Sequence, residues 1–335
     1  MRKPEKRRSR ANVTRNMRRG QQLQAWEDEI RQIAALETSE ACTGQPPSLR
    51  RQYIRPKRLA RYVFKVKKGG VRVVMKVFQN TRVVQGLREA SFLLHLTHPS
   101  IIPLLDMHQN CDAATNITLV RLFLPLYDAT LEDYLRQQKA EQVLMSSETV
   151  LKWLQQLLSA LVYIHGKRYV HCDLKSENVL VAKKGQGVVN VCICDLDSMQ
   201  VEEQDEQGRF TGFCKQRLGT GYYQAPEQWS ENKPNTRKSD VWSLGVVVYE
   251  AITLKMVYDS PRVFSSQLKN AAVILPPTDK ADTRAVFLHN ACRRCLCLHP
   301  TLRPSARSLL RECEEMLAGP AAAEAPAAAE ASSTE

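Results

Sequence analysis

No stretch of about 18 consecutive apolar residues occurs in this chain of 335 residues, so a bilayer-spanning helix is not expected. The basic start, Met1-Arg2-Lys3-Pro4, leads into no apolar segment, and a secretory signal is not expected either. Without one, the ten cysteines read as reduced thiols of the cytoplasm and/or nucleus rather than as a disulfide frame. No internal repeat is visible. Acidic residues are missing altogether from residues 50–72, which carry ten Lys/Arg. Residues 1–20 carry nine Lys/Arg and a single Glu. The +13 charge is therefore confined to two basic attachments on a mildly acidic body.

What is present divides the chain into regions. Residues 1–50 read as a largely disordered basic arm with one short helix over 21–38, where Leu23, Trp26, Ile30, Ile33 and Leu36 share a face. The run Lys3–Arg10 suits a nucleic-acid or import-receptor contact, with a solvated arm as the plainer reading. From about residue 50 short strands are expected. Arg61–Lys67 alternates, Gly69-Gly70 makes a hairpin turn, and Val71–Phe78 returns. A helix over 81–96 and a buried strand over Ile117–Leu124 follow. Long amphipathic segments then dominate at 131–139, 147–165, 239–254, 284–297 and 305–317. Strands first and helices after imply an α+β chain with a small sheet-rich part ahead of a larger helical one. Residues 317–335 form an Ala/Pro/Glu-rich tail, expected to be disordered.

The chemistry concentrates in His171-Cys172-Asp173-Leu174-Lys175-Ser176-Glu177-Asn178. An aspartate able to accept a hydroxyl proton, a lysine two residues on and an asparagine five residues on suit phosphoryl transfer, which asks for positioning and charge neutralisation. Asp195 follows after one short hairpin's length of sequence. Upstream, Val73-Val74-Met75-Lys76 places a lysine in an apolar strand, where it needs a partner. Glu89 on the next helix is the natural candidate.

With these motifs in order the chain resembles the eukaryotic protein kinases of serine/threonine type, over roughly residues 52–316. The resemblance implies a bilobal fold, with a β-rich N-lobe over about 51–123 and an α-helical C-lobe over about 128–316, inside a kinase domain of 51–316. It implies ATP and Mg²⁺ (Mn²⁺ as an alternative) as cofactors and protein hydroxyls as acceptors. Lys76, held by Glu89, matches the phosphate-contacting lysine. Asn178 and Asp195 match the metal ligands, Asp173 the base, and Lys175 the γ-phosphate cation. Thr220 matches the residue that braces Asp173 and Lys175. Val63, Val74, Phe123 and Leu126 match the nucleotide-lining and hinge positions, Phe123 guarding the back of the site. Ala225-Pro226-Glu227 closes the activation segment and Arg303 matches the partner of Glu227. Asp240 opens the helix that anchors the catalytic loop. His171, Leu93, Leu104 and Leu196 match the family's apolar spine.

Several positions depart from the pattern. The glycine-rich loop is missing: its glycine positions hold Pro56, Arg58 and Arg61. Lys57, Arg58 and Arg61 could supply side-chain cations instead, against the plainer reading of a solvated basic hairpin. Asp197 stands where the metal triplet has glycine, and is read as a turn-tolerant substitution. Cys172 replaces the arginine that receives activation-segment phosphate, so control of Thr211, Thr220 or Tyr222 through that arginine is not expected. Cys292, Cys295 and Cys297 with His299 have zinc-like spacing but are expected to pack in the core. The acidic run Glu202–Glu206 suggests basic protein substrates, with a solvated loop as the default. A pseudokinase scaffold that binds partners without turnover is the alternative function.

Overall fold

The computed structural model describes residues 57–60, 62–112, 117–184, 187–230, 233–257, 275 and 277–319. The basic arm, the helix expected over 21–38, Pro56, Arg61 and the tail from residue 320 lie outside the described residues, as do the side chains of Lys57 and Arg58. The chain divides into two compact units. The first comprises residues up to Leu126 together with Asp195–Met199 and Glu203–Thr211; the second holds Tyr127–Cys194, Gln200–Glu202 and the residues from Gly212 onward.

The first unit is built on an antiparallel sheet of order β1-β2-β3-β5-β4, from strands Lys57–Ala60, Val63–Lys68, Val71–Gln79, Ile117–Pro125 and Asp106–Asp112. β1 and β2 are closely joined, since Ala60 pairs with Val63 and Tyr62 takes a φ of 62°. Gly69 and Gly70, at φ 56° and 83°, form the β2–β3 turn in the left-handed region that glycine enters without steric cost. One sheet face gathers Val66, Val73, Met75, Val77 and Phe123 into a buried cluster, with Tyr62, Phe64 and Leu119 packed against it. Helix α1, Val83–His95, lies on the other face, where Gly86 allows close approach: a Cβ there would sit 2.6 Å from the Phe78 ring. β4, with the polar sequence DMHQNCD, carries no alternation and was not foreseen from the sequence; as an edge strand it needs only one partner, β5.

The second unit holds helices α2 (Leu131–Glu141), α3 (Ser147–Gly166), α4 (Pro226–Ser230), α5 (Arg237–Thr253), α6 (Thr283–Cys295) and α7 (Ala306–Ala318) together with two small sheets. β6 (Ala129–Thr130), β8 (Val179–Lys184) and β9 (Gly187–Ile193) form one, and β7 (Tyr169–Val170) pairs with β10 (Gln200–Val201). Side chains of Thr130, Ser146, Thr236, Asp282 and Ser305 cap helix N-termini by accepting backbone N–H bonds. The amphipathic reading of 239–254 is corrected: every residue from Ser239 to Ala251 is buried, so α5 is a central helix with no solvent face. The cysteines of α6 pack as core side chains. Cys292 and Cys295 are 1% and 2% exposed, and the Cys292 thiol lies against the Gly245 carbonyl at 3.6 Å. Burial pushes both thiols up, which suits inert packing rather than metal binding.

Candidate active site

The candidate residues fall in both units. In the first unit β3 carries Lys76 with its ammonium 2.7 Å from Glu89 Oε2 and 2.5 Å from Asp195 Oδ1. Burial acts to lower the Lys76 pKa, but Glu89, Asp195 and Asp197 outweigh it and hold the ammonium charged. Glu89 is fully buried on α1, and burial pushes its carboxyl up to about 7 while Lys76 pulls it down. Asp195, by contrast, keeps a third of its side chain exposed, at 34%. Its φ of 60° is unusual for a residue with a Cβ, a strain found mostly at functional positions. The segment after it is tied to α1 by Arg88, which donates to the Met199 carbonyl at 2.7 Å. Asp197 accepts a bond from the Ser198 hydroxyl at 3.0 Å.

Strand pairing sorts the remaining first-unit candidates. Directly paired residues of an antiparallel sheet project to the same face. Val63 pairs with Lys76, and Val74 stands two residues before it, so both share the Lys76 face. Phe123 does not: it pairs with Met75 and lies in the opposite-face cluster, while Leu122 and Leu124 pair with Lys76 and Val74. The expectation that Phe123 guards the nucleotide site is therefore corrected. Phe123 stands one residue from the positions that pair on the Lys76 face, and in a strand one residue reverses the face. Leu124, 5% exposed, pairs with Val74 and shares the Lys76 face. Leu126 is half-buried at the end of this unit.

In the second unit the loop between β7 and β8 holds Asp173, Lys175 and Asn178. Thr220 donates to Asp173 Oδ1 at 2.8 Å and accepts from the Lys175 ammonium at 2.7 Å; Lys175 also lies 3.0 Å from Asp173 Oδ2. Asn178 donates its amide to the Asp173 carbonyl at 2.9 Å and to Oδ2 at 3.2 Å. With the nitrogen engaged in this way, the Asn178 oxygen is the end available to a ligand.

The loop is held from behind by Asp240 at the start of α5. Its carboxylate accepts the backbone N–H of His171 at 2.8 Å and of Cys172 at 3.0 Å, and lies 2.9 Å from His165 Nε2. Cys172 adopts a φ of 71°, a left-handed backbone that these bonds enforce. Nearby, Arg303 makes a two-pronged bond to Glu227, 2.7 Å on each side, with both residues buried. Tyr223 bridges the Ser176 hydroxyl at 2.8 Å and the Glu250 carboxyl at 3.0 Å. The spine candidates Leu93 and Leu196 are buried in the first unit, where Leu104 is half-buried, and His171 is buried in the second. Parts of the acidic run are committed internally: Glu202 is buried and paired with Arg168 and Arg237, and Asp205 bonds Arg209.

The model of the protein kinase domain matches residues 61–313. The chain belongs to the protein kinase family. Among the curated relatives of this kinase, serine/threonine-protein kinase Nek4 of Mus musculus is 33% identical over 67% of the chain and 26% of its own length. Serine/threonine-protein kinase Nek5 of Homo sapiens is 27% identical over 67% of the chain and 29% of its own length. A putative serine/threonine-protein kinase A of Trypanosoma brucei brucei is 30% identical over 59% of the chain and 48% of its own length. The chain thus spans about a quarter of the first two relatives. No helix among the described residues of this kinase is long and apolar enough to cross a membrane.

Three features of the site were not foreseen from sequence: the Leu124 face, the Ser176–Tyr223–Glu250 bridge, and the bonds that Gln200 and Asn235 make to the activation segment. The strand parity of Leu124 could have been counted from Lys76 had the β3–β5 register been known. The other two join residues distant in sequence and left no periodic signal.

Proposed function

We propose that this kinase transfers the γ-phosphoryl group of ATP to serine or threonine hydroxyls of protein substrates. The observation that carries the reading is the Asp173–Thr220–Lys175 triangle, whose carboxylate is fixed by two hydroxyl and amide donors beside a cation. A carboxylate so held can orient a substrate hydroxyl and take its proton, while Lys175 offsets charge on the transferring group. Lys76, kept charged by three carboxylates, suits the α- and β-phosphates of the nucleotide. The serine/threonine specificity is supported by the names of the relatives.

Asn178 in the second unit, whose nitrogen is otherwise engaged, and the part-exposed Asp195 carboxylate in the first each offer the hard oxygen that Mg²⁺ or Mn²⁺ takes. Bound there, the metal would neutralise phosphate charge. Val63, Val74, Leu124 and Leu126 are the apolar positions assigned to the nucleotide base. The kinase domain is assigned to residues 51–316. Its two basic attachments and the remaining exposed acids leave the substrate charge open to test with basic and acidic peptides. The arm over 1–20 is assigned a nucleic-acid or import-receptor contact in the cytoplasm and/or nucleus; deleting it should abolish steeply salt-dependent binding.

The test is transfer of labelled γ-phosphate to a mixed protein substrate by wild type, Asp173→Asn and Lys76→Met. Label on serine or threonine with wild type alone supports the enzyme. No transfer above the two variants, with Mg²⁺ and with Mn²⁺, would leave the scaffold reading.

A further inference from the structure

Around residues 214–218 of the activation segment, the side chains that pack against the catalytic loop or bind the segment's backbone at Gln216 and Leu218 carry no charge. Cys172 and Cys214, 4% and 1% exposed, pack together with Val170 and Leu218. Gln200 on β10, 3% exposed, binds both backbone groups of one residue: its oxygen accepts the Gln216 N–H at 3.0 Å and its nitrogen donates to the Gln216 carbonyl at 3.0 Å. The same nitrogen lies 3.6 Å from the Cys172 sulfur. Asn235, 2% exposed and just ahead of α5, repeats the arrangement two residues along. Its oxygen accepts the Leu218 N–H at 2.7 Å, and its nitrogen donates to the carbonyls of Leu218 and Cys172, each at 3.3 Å. Its own carbonyl accepts the Cys214 N–H at 2.9 Å.

The next residue shows how closely the two strands of chain are pressed. Gly219, at φ 116°, would place a Cβ 2.6 Å from the Cys172 carbonyl oxygen, so no larger residue fits. Thr220 follows at once and donates to Asp173. The charged groups of the segment turn elsewhere: Lys215 is exposed, and Arg217 donates to the Gln228 carbonyl at 2.5 Å. A phosphate set among two thiols, two primary amides and two aliphatic side chains would be a buried dianion without a cation. Two amides that each satisfy the backbone N–H and C=O of one residue do the holding instead, as a neighbouring strand would.

We propose that Gln200 and Asn235 are positioning residues, a neutral amide clasp that sets Thr220 against Asp173 and orders the activation segment without phosphorylation. The proposal rests on the kinase reading for its kinetic consequence, but not for its structural one.

The test uses the full chain after phosphatase treatment. Gln200→Met and Asn235→Leu keep side-chain size and remove the bonds; each should lower kcat about tenfold to a hundredfold, the range a small misplacement costs. KM for ATP should stay within about twofold, since the same misplacement acts on the reacting geometry and not on the nucleotide. Asn235→Asp, which would set a buried carboxylate against the Leu218 and Cys172 carbonyls, should lose at least as much as Asn235→Leu. Thr211→Ala should match wild type. In wild type the Gln216 and Leu218 amides should exchange slowly with solvent, and in the two bond-removing variants quickly. Loss of wild-type activity on phosphatase treatment would overturn the proposal, as would loop-like exchange of those two amides in wild type. If wild type transfers no phosphate at all, the kinase reading fails and the exchange measurement still decides the clasp.

Discussion

The two units use buried charge differently. In the first, Lys76 and Glu89 face each other inside an apolar sheet and helix, and the third member, Asp195, stays one-third exposed. In the second, Asp240, Glu227 and Arg303 are buried to 5% exposure or less, and their bonds go to backbone N–H and carbonyl groups as well as to each other. The first arrangement leaves a charge that a ligand can engage. The second spends its charges on holding a loop in an otherwise strained shape. The comparison also separates what this chain has changed from what it has kept. Residues 57–68 hold no glycine, whereas Asp173 is bonded by Thr220, Lys175 and Asn178.

The difference can be sharpened by breaking each kind of charge. The largest effect on stability should come from Arg303→Leu. It leaves Glu227 buried without its partner and frees the Cys297, Lys238 and Leu298 carbonyls, and should cost about 3–5 kcal/mol by denaturant unfolding. Phe123→Ala should cost a similar or slightly smaller amount, about 3–5 kcal/mol for a fully buried ring, with KM for ATP unchanged. Leu124→Ala should do the reverse in kinetics, raising KM for ATP. A higher KM from Phe123→Ala and none from Leu124→Ala would restore the original face assignment.

A smaller effect should appear as pH dependence. Burial pushes Glu250 up to about 8 from an ordinary 4.5, despite the bonds from Tyr223 and Ser176. A raised pKa in the folded state means the folded protein binds the proton more tightly than the unfolded chain does. The resulting stabilisation is complete below about 4.5 and is lost as pH rises through about 8. Thermal melts should show wild type losing stability over that window, and Glu250→Gln should flatten the profile. An unchanged slope in the variant would show that Glu250 is ionised in the folded protein.

How much of this was legible in the sequence depended on whether the signal was local. Asp173, Lys175 and Asn178 lie within six residues, so their grouping needs no knowledge of the fold. Glu89 was reached from a physical demand, that a lysine in an apolar strand must be paired. β4 carries no strand signal because Asp106–Asp112 is mostly polar, with only Met107 and Cys111 as exceptions, and its pairing with β5 makes it a strand. The assignment of Asp195–Met199 to the first unit could not be read from a linear cut at residue 123 or 128. Phe123 was misplaced by parity, an error that a strand amplifies and a helix would have tolerated. Gln200 and Asn235 lie 35 residues apart and meet only around the activation segment.

We propose that the second unit, through Asp173 and Lys175, serves the transfer step and the first, through Lys76, the binding of the nucleotide. Asp173→Asn tests it most directly, measured side by side for Mg-ATP affinity and for single-turnover phosphoryl transfer. The account predicts wild-type affinity with transfer reduced by about 10²–10⁴-fold. Transfer at the wild-type rate in this variant, or a wild type that neither binds nor turns over Mg-ATP, would contradict it.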